Sequence, residues 1–169
     1  MKQFTLACLV LMVTLCAPMS THAQQEPDRE KSPPAHSKTD NRILEGFIKK
    51  LAGELEGTGG RWTFHVDGVP MLAITDQAAN RMRIIAAVAE SADLSESDLR
   101  SMLEANFDRA LDAKYSIWKG TVWASFVHPL AELTQAEFES AAKQVAALKE
   151  NYGTTYSSSE LVFSGGDGN

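Results

Sequence analysis

From Asn41 onward the apolar positions follow two rhythms, one of three and four residues and one of two. Ile43, Leu44, Phe47, Ile48, Leu51 and Leu55 recur at helical spacing, with Arg42, Glu45, Lys49, Lys50 and Glu54 between them. This predicts an amphipathic helix, capped by Asp40 or Asn41 and ended by Gly57-Thr58-Gly59-Gly60. Trp62, Phe64 and Val66 then alternate with Thr63, His65 and Asp67, which is the period of a strand. Asp67-Gly68 predicts a tight hairpin, and Val69 to Thr75 a second strand with Pro70 at its tolerated start. Asp76 to Asn80 makes the next turn. Arg81 to Glu90 fits both periods: Arg83-Ile84-Ile85 suits a strand, whereas Ala86 to Glu90 has helix propensity. Two short turns before it set up a meander, so we read a third strand.

The second half of the pattern repeats the scheme. Leu99, Met102, Leu103, Phe107, Ala110 and Leu111 share one helix face, and Ser95 or Ser97 can cap that helix. Tyr115 to Val127 is rich in β-branched and aromatic residues and breaks at Lys119-Gly120, giving two short strands. Proline has no N–H for a ladder, so His128-Pro129 ends the second of them. Thr134 with Glu137 forms a capping-box signature for a last helix, whose buried stripe is Phe138, Ala141, Val145, Leu148 and Tyr152. Five short strands need cover that three amphipathic helices supply. The expected fold is a two-layer α+β domain of order α-β-β-β-α-β-β-α with an antiparallel sheet, over residues 41–153.

The ends have a different character. Met1-Lys2-Gln3 is a basic start, Phe4 to Ala17 is almost wholly apolar, and Thr21-His22-Ala23 puts small residues where a signal peptidase reads. Residues 1–23 are expected to be a secretory signal peptide, cut after Ala23. The apolar run is short for a membrane span, which argues against an uncleaved anchor. Leu15 before Cys16 argues against a lipoprotein. Residues 24–40 are polar, with Pro27, Pro33 and Pro34, and read as a flexible linker. Residues 154–169 read as a largely disordered C-terminal tail with one apolar patch, Leu161-Val162-Phe163. The expected location is the periplasm or outside the cell, with no membrane insertion after cleavage.

Charge and cysteine content narrow the function. The formal net charge is −6, and loss of Lys2 makes it more negative, which sets the chain against nucleic acid and anionic membranes as partners. The two cysteines, Cys8 and Cys16, both lie in the expected signal peptide. Once it is cleaved, disulfides, zinc thiolates and cysteine nucleophiles are excluded together.

The order of elements resembles the type III secretion chaperone-like superfamily, including its YbjN-like branch. The resemblance rests on Leu103-Glu104-Ala105-Asn106-Phe107, the hairpin at Lys119-Gly120, and His128-Pro129-Leu130-Ala131-Glu132-Leu133 before the last helix. It spans about residues 41–153 and implies a non-enzymatic fold that dimerises and binds extended protein segments. Members of the secretion branch are small, acidic and cytoplasmic; this chain differs in its expected signal peptide and linker.

Candidate chemistry is sparse. His65 and His128 are the histidines of the domain, and with Asp67 or Asp76 they are the basis of an alternative reading as a small hydrolase or metal-dependent enzyme. Glu96, Arg100, Glu104, Asp108 and Asp112 recur every four residues and read as a solvated helix face. Arg81 and Arg83 share a strand face and suit either an acidic partner or local pairing, for instance with Asp76. In the last strand Val122, Ala124 and Phe126 share one face and Trp123, Ser125 and Val127 the other, so both faces are apolar. An antiparallel sheet normally keeps one wet face. Trp118, Trp123 and Val127 are therefore the interface candidates for a homodimer or for a peptide partner. The expected function is an exported non-enzymatic protein-binding module without cofactor or metal; an envelope regulator or assembly factor without chaperone activity is the other non-enzymatic alternative.

Overall fold

The computed structural model describes residues 38–159, so the expected signal peptide, most of the linker and residues 160–169 lie outside the described residues. Helix α1 spans Asn41–Ala52, and the Asp40 carboxylate accepts from the Ile43 N–H at 2.8 Å as its N-cap. It stops earlier than the apolar spacing suggested. Gly53, at φ 76°, turns the chain at the helix end, and Leu55–Thr58 forms a short strand, β1. Gly57 and Thr58 thus belong to an edge strand, and only Gly59-Gly60 make its turn. Strands β2 (Arg61–Val66), β3 (Val69–Asp76) and β4 (Arg81–Glu90) follow as a meander. The stretch of β4 with helix-like composition is where its register slips, between Ala87 and Ala89, as a β-bulge.

After a short 3-10 turn at Ser91–Asp93 come α2 (Glu96–Asp108), β5 (Lys114–Trp118), β6 (Thr121–His128) and α3 (Gln135–Glu150). The expected order is present, with β1 as an added edge strand. The strands form one antiparallel six-stranded sheet in the order β1-β2-β3-β4-β6-β5. Three of its hairpin turns carry positive φ at both central residues, Gly59-Gly60, Asp67-Gly68 and Lys119-Gly120. That geometry matches the natural twist of paired strands.

One face of the sheet is the core. Trp62, Phe64, Met71, Ala73, Met82, Ile84, Ala86, Val122, Ala124 and Phe126 alternate inward and are buried. Helices α1 and α3 cover this face through Leu44, Ile48, Phe138, Val145 and Leu148. Both capping boxes are made, Ser95 with Asp98 at α2 and Thr134 with Glu137 at α3.

Helix α2 departs from expectation. Its buried residues are Met102 and Ala105, whereas Leu103 is 70% and Phe107 86% exposed. The cause is its docking site, beside the free edge of β5 rather than across the sheet. The Asn106 amide satisfies that edge in both directions, accepting from the Tyr115 N–H at 2.8 Å and donating to the Tyr115 carbonyl at 3.1 Å. Lys114 Nζ reaches the Asn106 and Ala110 carbonyls. The side bearing Met102 and Asn106 therefore faces inward, and Leu99, Leu103 and Phe107, each four residues apart, are rotated away from it.

The packed fold also runs past residue 153. Tyr156 and Ser158 are buried, Ser158 Oγ accepts from the Leu111 N–H at 2.7 Å, and the Tyr156 hydroxyl donates to Asp98 at 3.1 Å. At the other end Thr39 is buried and bonded to the Leu133 carbonyl at 2.6 Å. The three tyrosines of the chain, Tyr115, Tyr152 and Tyr156, meet edge to face. Burial pushes all three phenols above their ordinary range, Tyr115 most strongly. Their contribution to stability is complete below the unfolded value of about 10 and is lost as pH rises toward the folded values. Absorbance at 295 nm should show little tyrosinate near pH 10, and then a rise coincident with unfolding. A simple titration of all three near pH 10 in the folded protein would contradict the clustered packing.

Candidate protein-binding surface

The other face of the sheet carries no helix among the described residues. Strand register assigns its side chains row by row. One row crosses four strands as Arg61, Ile74, Arg83 and Val127. The next is Thr63, Leu72, Ile85, Ser125 and Lys114. Further along, Ala87 faces Trp123, which faces Ser116, and Trp118 closes the face at the β5–β6 turn. Leu72, Ile74, Ile85, Val127, Trp123 and Trp118 thus form an apolar band across a sheet face that would ordinarily be polar.

All three interface candidates lie on this face. Val127 is 51% and Trp118 61% exposed, and Trp123 is half-buried. Trp123 is held by its indole N–H, which donates to the Trp118 carbonyl at 3.3 Å. The Lys119 ammonium sits 4.6 Å from the Trp118 ring centroid, a cation–π contact at the rim. Leu72, Ile74 and Ile85 belong to the same band and were missed in the sequence reading. Their signal was present: Met71 to Ile74 and Ile84-Ile85 are apolar on both faces, as in β6.

Arg81 and Arg83 do not pair with Asp76. The Arg81 guanidinium donates to the Asn80 carbonyl at 2.8 Å, and Asp76 accepts from the Ala79 N–H at 2.9 Å. With Ile74 and Val127 these residues line a shallow cleft of about 340 Å³.

The two histidines are not brought together. His65 is exposed on the open face of β2, whereas His128 extends the buried side of β6, stacked on Phe126 with its Nδ1 2.7 Å from the Pro129 carbonyl. Strands β3 and β4 lie between them, and the register also sets them five residues apart along the strands, a separation of roughly 20 Å. They line two different clefts, His65 beside α1 and β1 and His128 between β6 and α3. The paired-histidine site of the enzymatic alternative is not assembled. The charged series along α2 is likewise no ligand cluster; Asp108 accepts from its neighbour Arg109 at 2.9 Å, and no group of three metal-ligating side chains occurs among the described residues.

No family model matches this chain, and no curated protein matches it by sequence. A solved structure does resemble it. A chain in the structure of the HopA1–SchA chaperone–effector complex aligns with TM-score 0.52 at 12% sequence identity, over 66% of this chain and 94% of that one. At that identity the likeness shows the fold alone, and the fold is chaperone-like α+β.

Proposed function

We propose that this chain is an exported, non-enzymatic protein-binding module that works as a homodimer and holds a peptide segment of a partner on its open sheet face. The observation that carries the reading is the uncovered apolar band from Leu72 to Trp118, on a sheet whose other face is already filled by α1 and α3. The apolar run and small-residue site before Gln24 support export. The element order and the Leu103 to Phe107 motif support kinship with the YbjN-like branch. The homodimer is supported by the stripe of Leu99, Leu103 and Phe107 left exposed on α2. The chaperone–effector complex supports a protein partner by analogy of fold.

The test is a pull-down from cell-envelope extract with the carboxyl-terminally tagged full chain. One dominant protein should be recovered, and Val127→Asp should reduce its recovery at least tenfold while leaving the thermal midpoint unchanged. A carboxylate at Val127 must be desolvated under a bound segment but stays in water in the free protein. Equal recovery by wild type and Val127→Asp would remove the sheet face from the mechanism.

A further inference from the structure

At one end of the open face three arginines stand around a single carboxylate, Asp76, which lies opposite Arg81 and accepts from the Ala79 N–H. Arg61, Arg81 and Arg83 all project from it, beside Ile74 and Val127. Ion pairs within 4.0 Å among the described residues are Lys49 with Glu45 and Arg109 with Asp108, so among those residues none of the three arginines, Arg81 opposite Asp76 included, is in an ion pair. Guanidinium groups next to an uncovered apolar band are complementary to a ligand that is apolar and anionic together.

We propose that the segment held on this face is an amphipathic helix of a partner protein, with carboxylates flanking its apolar stripe; the inference rests on the binding reading above. A helix is the usual cover for an apolar sheet face in a two-layer domain. Arg61 and Arg83 stand two strands apart, about 10 Å. Carboxylates seven residues apart on a helix are separated by about 10.5 Å along its axis. A second copy of this chain suits the face less well, because a two-fold contact centred on the arginine cluster would bring six guanidinium groups together against two Asp76 carboxylates.

The experiment uses the full chain and two synthetic 18-residue helical peptides without tryptophan. Both carry one leucine stripe; one is flanked by glutamates and the other by lysines. Binding is read from the fluorescence of Trp118 and Trp123, with the melting curve of every variant recorded as a control. The glutamate peptide should bind about tenfold more tightly at low salt, with the difference shrinking as ionic strength rises. Arg61→Ala with Arg83→Ala should abolish the preference, and Arg81→Glu with Arg83→Glu should reverse it. Equal binding of both peptides would overturn the inference and leave the apolar-face reading standing. Binding of neither would overturn both. If the arginine variants instead change the molecular mass in light scattering, the occupant is a second copy and the inference falls.

Discussion

Phe138→Ala should destabilise the domain by roughly 3–5 kcal/mol, measured as a fall in the urea midpoint at unchanged slope. Phe138 is fully buried, and its ring lies 6.4 Å from Phe47 of α1 and 6.1 Å from Phe64 of β2. It is therefore the point where the last helix, the first helix and the sheet meet. Removing the ring leaves a cavity bounded by both layers, and helices already capped and docked can close it only in part. For a domain whose whole stability is on the order of 5–15 kcal/mol, this is a large fraction. Phe107→Ala supplies the contrast with the same side chain: at 86% exposure it should change the monomer by less than about 0.5 kcal/mol. A cost below about 1 kcal/mol for Phe138→Ala would mean that the layers collapse onto the gap, contrary to the packing described.

The contrast between these two phenylalanines also shows where the sequence could be read and where it could not. Phe138 lies in a stripe that starts at a capping box and fits a single period, so its burial followed from spacing. Phe107 lies in a stripe of equal quality, yet its helix docks through Asn106 on a strand edge. Periodicity tells which residues share a face; it does not tell which of two adjacent faces meets the protein. Asn106 was the available clue, since a helical amide facing inward needs a buried polar partner, and the Tyr115 backbone is that partner. β1 escaped notice for a different reason. Leu55 continues the helical spacing of α1, and only the left-handed Gly53 separates it from the helix. The open face was half legible: β6 showed two apolar faces by alternation, but the band through Leu72, Ile74 and Ile85 depends on register, which spacing within a single strand does not encode. The histidines were separable only once strand order was known.

Phe107→Glu should convert the proposed homodimer to a folded monomer, weakening self-association by about 10³–10⁴-fold. Leu99, Leu103 and Phe107 form one exposed stripe on α2, and a two-fold contact would bury it against its own copy. Burying a phenylalanine side chain contributes roughly 2–3 kcal/mol. A two-fold interface counts that twice, so one substitution removes about 4–6 kcal/mol from the dimer. The glutamate adds two like charges at the centre of the contact, near the acidic series of Glu96, Glu104 and Asp108. In the monomer the same substitution meets solvent and should leave the melting curve nearly unchanged. Sedimentation equilibrium over a wide concentration range separates the outcomes. A wild-type protein that stays monomeric removes the dimer, and a Phe107→Glu protein that stays dimeric moves the interface off α2. Val127→Asp is the matched control: in the proposed arrangement, with the copies joined through the helix stripe and the sheet face left open, its mass should equal that of the wild type.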